Sequence, residues 1–173
     1  NGIAALRQKG GKELSFNNLL DMEGALFATD PFQGEICCAI VKHTTPCGLA
    51  TAATPLDAYR KALACDPVSA FGSVISFTVP VDDDTAEAVS SLFVECVVAP
   101  QFSVGALEIL GRKKNLRVLE GVAKWEDHAL DYKRVRGGLL AQERAAEDSG
   151  KTEWRVVTKR QPTEVELKDL DFV

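Results

Sequence analysis

The residues with the greatest chemical potential in this chain are Lys42 and His43, which end the apolar run Ile36-Cys-Cys-Ala-Ile-Val and precede Thr-Thr-Pro-Cys-Gly at 44–48. An imidazole titrates at about pH 6.5 and can take up a proton at neutral pH. An adjacent ammonium can stabilise charge developing on an oxygen. The ordinary reading of the same pair is a lysine snorkelling from a strand end and a histidine satisfied in a turn. Cys47 lies close enough in sequence to pair with His43 as nucleophile and base. No third, orienting residue can be assigned, and a Pro-Cys-Gly turn explains it equally well.

Two further groupings bear on chemistry. Zinc deaminases combine Pro-Cys-x-x-Cys with His-x-Glu. Here Ala50 stands where the second cysteine would be and neither histidine begins His-x-Glu, so no zinc is expected. In Ser69-Ala70-Phe71-Gly72-Ser73, the glycine would let a ligand approach the backbone and Phe71 could stack on a planar heterocycle, although core packing is the simpler use of that ring. There is no G-x-G-x-x-G and no P-loop to cradle phosphates.

The elements that must position these residues follow from pattern. Ser15-Phe16-Asn17-Asn18 caps a helix over about 19–28, and Asp30-Pro31 ends it. Residues 36–42 form a continuous apolar run suited to a strand buried on both faces of a parallel sheet, with a polar turn over 43–51 after it. Ligands of open α/β sheets sit beyond the carboxyl ends of the strands, which places Lys42 and His43 at such a crevice. Thr54-Pro55 opens a helix over 55–65. Strands over 71–79, 94–99 and 116–119 alternate with helices over about 82–92 and 103–114. Beyond residue 120 the pattern loosens, with an irregular hairpin or arm over 133–142, a short strand over 154–158 and a helix from Pro162. Alternating helices and short apolar strands predict an α/β fold, three-layered αβα with a mostly parallel sheet.

Composition bounds the remainder. The 173 residues carry 20 Lys plus Arg against 25 Asp plus Glu, a net charge of -5, which gives no footprint for nucleic acid or an anionic membrane. No apolar run approaches the roughly 20 residues of a membrane helix, and nothing resembles a signal peptide. The 5 cysteines are irregularly spaced and are expected to be reduced thiols in a cytoplasmic protein.

Several motifs in order carry a more specific signal: Lys-Gly-Gly-Lys-Glu-Leu-Ser-Phe-Asn-Asn at 9–18, Val-Lys-His-Thr-Thr-Pro-Cys-Gly at 41–48, Asp-Pro-Val-Ser-Ala-Phe-Gly at 66–72, Phe-Val-Glu-Cys-Val-Val-Ala-Pro at 93–100 and Arg-Val-Val-Thr-Lys-Arg-Gln-Pro at 155–162. Together they resemble the AICAR transformylase portion of the bifunctional purine-biosynthesis enzymes, over almost the whole chain. The resemblance implies a cytidine-deaminase-like fold without zinc, transfer of a formyl group from 10-formyltetrahydrofolate to AICAR, and a homodimer in the full-length enzyme. It implies catalytic roles for Lys42 and His43, a substrate-lining loop at Phe71 and Gly72, an acidic contact to the carboxamide end of AICAR at Glu95, and a place beside the folate for Val68. Thr45, Ser73 and Ser91 depart from the family's usual Asn, Gly and Arg.

The same resemblance divides the chain into a first deaminase-like subdomain (1–123), an irregular arm and linker (124–152) and the start of a truncated second subdomain (153–173). A piece of this kind is expected to be inactive alone, to self-associate or to have a disordered C-terminal end. The alternative is a non-catalytic nucleotide- or folate-binding module of the same fold, and a Cys47 hydrolase is a third reading.

Overall fold

In the computed structural model of the chain, residues 2–123, 130–143 and 155–172 are described. They divide between two compact units, Asn1–Trp125 and Glu126–Val173.

The first unit is built on a six-stranded sheet of β1 (Arg7–Gly10), β2 (Cys37–Lys42), β3 (Thr45–Thr51), β4 (Ser73–Phe77), β5 (Val94–Ala99) and β6 (Arg117–Glu120), in the order β1-β6-β5-β4-β2-β3. The pairs β4–β5 and β5–β6 are parallel, whereas β1–β6, β2–β3 and β2–β4 are antiparallel. Since β3 and β4 both oppose β2, the strands β3 to β6 point one way and the sheet is mostly parallel in direction.

Helix α1 (Phe16–Thr29) covers one face. Ser15 caps it by accepting from the Asn18 amide at 3.1 Å, and the Asn18 side chain accepts in return from the Ser15 amide at 3.1 Å. Its buried residues Asn18, Met22, Ala25 and Thr29 recur at helical spacing, and Met22 and Ala25 pack on Val41, Val74, Cys96, Val98 and Leu119. The other face carries α2 (Pro55–Cys65), α3 (Asp83–Ser90) and α4 (Val104–Gly111), capped by Thr54, Asp82 and Ser103. Tyr59, Val89 and Leu110 from these helices pack on Ile40, Ile75 and Val97 of the sheet. Successive strand residues feed opposite cores, Ile40 one and Val41 the other, giving three layers.

Two expectations about the sheet are corrected, and one strand is added. The run over 36–42 is buried on both faces, yet both its neighbours are antiparallel, because burial reports what covers a strand while the connection sets its direction. The supposed polar turn over 43–51 is only two residues long, and the rest is strand β3. Pro46 and Gly48 read as turn residues, but β3 is an edge strand with a bulge opposite Ile40 and Val41, where a missing amide donor is tolerated. The polar, glycine-containing N-terminal stretch supplies β1, an exposed edge strand with no apolar pattern to announce it.

The second unit contains the hairpin β7 (Leu130–Val135) and β8 (Gly138–Glu143), regular in register and exposed along its length, and helix α5 (Glu164–Phe172). Thr163 and Glu166 cap α5 reciprocally, and the Arg160 guanidinium donates to both oxygens of Glu166. The expected strand over 154–158 does not form at 155–157, and Trp154 lies outside the described residues.

Candidate functional site

A two-residue turn joins β2 to β3, with Lys42 paired to Thr45 and His43 and Thr44 at its tip. Both tip residues have positive φ, 53° and 63°, the pattern of a type I′ hairpin turn. Such turns normally carry Asn-Gly or Asp-Gly. A left-handed conformation costs a non-glycine residue on the order of 1–3 kcal/mol, and a β-branched threonine is poorly suited to it. The turn rests on α1. The Thr44 amide donates to Asp21 Oδ1 at 2.7 Å, and Gly24 one turn further along α1 leaves room for the Thr44 backbone, which a Cβ there would meet at 3.0 Å.

Because β2 opposes β4, the Lys42 end of β2 lies at the start of β4 and β5. The crevice therefore sits at the amino ends of the parallel strands, opposite to the expectation from strand direction. Lys42 Nζ donates to the carbonyl of Phe71 at 2.7 Å, and the Gly72 amide donates to the carbonyl of Phe93 at 2.8 Å. Gly72 has φ 77°, so the chain turns there without the cost a side chain would add. The rings of Phe71 and Phe93 lie 5.0 Å apart and tilted, and they are 57% and 49% exposed, so their faces are available to a ligand.

Glu95, the second residue of β5, completes the group. Its Oε2 accepts from the Asn18 side-chain amide at 2.7 Å and lies 4.0 Å from the Arg117 guanidinium, which itself donates to the Glu13 carbonyl. Asn18 is buried, and its oxygen is engaged by Ser15, so its amide group has to face Glu95.

Lys42, His43, Phe71, Gly72 and Glu95 line one cavity of about 300 Å³ together with Ser15, Asn17, Asp21 and Phe93. Of the residues singled out in the sequence, Val68 does not line it. It is 84% exposed on a loop shaped by Asp66, whose carboxylate accepts from the Val68 and Ser69 amides and from the Ser69 hydroxyl. The Ser69 bonds, with a smaller part from the Val68 amide, hold Asp66 below the usual carboxylate range. In the sequence Ser15 and Asn17 read as capping residues, Phe93 only as the start of the 93–100 motif, and Asp21 carries no signal of its own. The run of polar residues at 15, 17, 18 and 21, entering an otherwise apolar helix, was the available signal.

Cys47 is a poor nucleophile in this setting. Its thiol is half-buried and donates to the Ile40 carbonyl at 3.4 Å. Burial raises its pKa, assisted by the Asp66 charge and only partly opposed by a backbone hydrogen bond and, less, by the Lys42 charge. Among the described residues no three His, Cys, Asp or Glu side chains come together to hold a metal ion. A larger concavity of about 660 Å³ lies in the second unit, lined by Val156, Val157, Pro162, Leu167 and Leu170 among others, and holds none of the site residues singled out in the sequence.

The first unit is thus a three-layer α/β domain with a lysine, a histidine, an acid and two aromatic rings around one cleft. The chain belongs to the AICARFT/IMPCHase bienzyme family, whose family model matches residues 1–173. It is 46% identical over 178 aligned positions to the bifunctional purine biosynthesis protein PurH of Parvibaculum lavamentivorans, an alignment covering 99% of this chain and 33% of that protein. The chain thus spans about a third of the length of this curated relative. Among solved structures it matches a dCMP deaminase of the cyanophage S-TIM5, crystallised with dCMP and dUMP, at a TM-score of 0.40 and 13% identity, covering 62% of this chain and 97% of that one.

Proposed function

We propose that this chain is the first deaminase-like part of a formyltransferase in purine biosynthesis, moving a formyl group from 10-formyltetrahydrofolate to the amine of AICAR. The observation that carries the reading is the convergence of Lys42, His43, Phe71, Gly72 and Glu95 on one cleft, in a chain of this family. An amine conjugated to a heterocycle and carboxamide is a weak nucleophile and gains from a positioned base. His43 takes the proton from the amine as its nitrogen bonds to the formyl carbon. Lys42, one of whose three N–H groups goes to the Phe71 carbonyl, stabilises charge on the formyl oxygen with the others. The bond from the formyl carbon to the folate nitrogen then breaks, and that nitrogen takes the proton held by His43 and leaves as tetrahydrofolate. Phe71 and Phe93 offer a face to a planar ring, and Glu95, held by Asn18, accepts from the carboxamide N–H.

General-base catalysis is typically worth about 10²–10⁴-fold. In the full-length enzyme, His43→Ala lowers kcat by about that factor while AICAR binding by calorimetry stays close to wild type. Wild-type turnover in this variant removes His43 from the mechanism. The 173-residue chain alone is proposed to be inactive, since its relative is about three times as long. Turnover by the isolated chain contradicts that proposal, and binding of AICAR or folate without turnover favours the non-catalytic module instead.

A further inference from the structure

We infer that Asp21 is a positioning residue for the formyl-transfer site, holding the His43-Thr44 turn in its left-handed conformation and so fixing where the His43 imidazole stands. The inference deepens the proposed function and rests on its assignment of His43.

Sequence does not favour this turn. Histidine and threonine both occupy positive φ at its tip, where glycine, asparagine or aspartate is preferred. The bonds within the tip run from the Thr44 and Thr45 hydroxyls to the His43 carbonyl, at 2.6 and 3.4 Å, and leave the Thr44 amide to another partner. That partner is Asp21 Oδ1 at 2.7 Å, from a different element. Two features of α1 serve the contact. Gly24, three residues beyond Asp21, lets the Thr44 backbone come within reach. Asn18, three residues before it, holds Glu95 across the cleft. The same helical stripe therefore indexes the turn and the acid against each other. Asp21 also lines the cavity, so a direct role in ligand contact is the competing account that the test has to separate.

The distinguishing property is that a tether becomes dispensable when the turn prefers its conformation unaided. In the full-length enzyme, Asp21→Ala is expected to lower kcat by about 10–100-fold, as displacement of a reacting group by about 1 Å does, with the KM for AICAR within about threefold of wild type. Asp21→Asn keeps an acceptor oxygen and stays close to wild type. Replacing Thr44 by glycine or asparagine in the Asp21→Ala background restores kcat at least about tenfold, since either residue takes positive φ readily. A structural readout independent of activity accompanies these rates: hydrogen exchange at the Thr44 amide quickens in Asp21→Ala. The proposal is overturned by wild-type kcat in Asp21→Ala, by unchanged Thr44 exchange, or by failure of both Thr44 replacements to restore the rate, which would make the carboxylate a ligand contact. The His43→Ala result judges the chemical role of His43 separately, and the exchange measurement reports on the tether whatever that result is.

Discussion

At the residue scale, the environment of each thiol and phenol sets what it can do. Cys37 and Cys96 are pushed up to about 12, chiefly by burial, and Cys38 is raised well above its ordinary value for the same reason. Tyr59 is likewise pushed up to about 12 by burial. In each case the folded state favours the neutral form more than the unfolded chain does. The resulting stability is complete below the unfolded values, about 8.5 for a thiol and 10 for a phenol, and is lost as pH rises toward 12. Thermal melts should therefore fall steeply between about pH 9 and 12. A melting temperature that stays level over that interval contradicts these assignments. At pH 8 an alkylating reagent should modify exposed Cys65 first and Cys47 slowly, sparing Cys37, Cys38 and Cys96 until the chain unfolds. Rapid, selective loss of function through Cys47 would revive the hydrolase reading.

At the element scale, the hairpin of β2 and β3 is the piece on which the site depends, and it is fastened on both sides. Asp21 and Gly24 receive its tip from α1. Gly48 on β3 receives α2 on the opposite face, where an added Cβ would overlap the carbonyl of Ala62 and crowd Cys65. Overpacking of a close backbone approach costs about 1–3 kcal/mol, occasionally more. Gly48→Ala should accordingly destabilise the unit by about that much in urea unfolding. A variant as stable as wild type would mean that α2 shifts away from β3 without penalty. Helix α2 itself was legible residue for residue, because Thr54-Pro55 and Asp66-Pro67 bracket it with an N-cap, a fixed φ and a stop. Strand β3 was not, since its Pro and Gly are permitted only by its place at the sheet edge.

At the scale of the whole molecule, the two units differ in what they bury. Among the described residues, two apolar cores lie within the first unit, their buried members running from Met22 to Leu119. The hairpin of β7 and β8 instead exposes Leu130, Tyr132, Leu139 and Leu140, and α5 exposes Val165, Leu167 and Leu170. A two-stranded hairpin is marginal without a further surface to pack on, and exposed apolar surface of this kind favours association. Residues 1–123 alone should melt cooperatively and sediment as a monomer, while the 173-residue chain self-associates. Strictly monomeric behaviour of the longer chain, or failure of the shorter one to melt cooperatively, would count against this division.

Local chemistry and periodicity determined the three-layer α/β class, the caps at Ser15, Thr54, Asp82 and Ser103, and strand β5 in full. These are decided within a few residues by hydrogen bonds and by which side of an element is apolar, so they are written in the chain itself. The family resemblance of ordered motifs marks Lys42, His43, Phe71, Gly72 and Glu95 as candidates in the sequence alone. Only tertiary structure decided that β2 runs against β4, and with it that the cleft opens at the amino ends of β4 and β5. Strand direction is set by a two-residue turn that local preference does not choose, held by a carboxylate from a helix twenty-odd residues earlier. The convergence of Asn18, Asp21 and Glu95 was hidden for the same reason: a contact between a helix and a strand far apart in the chain leaves no periodic trace in the sequence, because neither partner is required by its own neighbours.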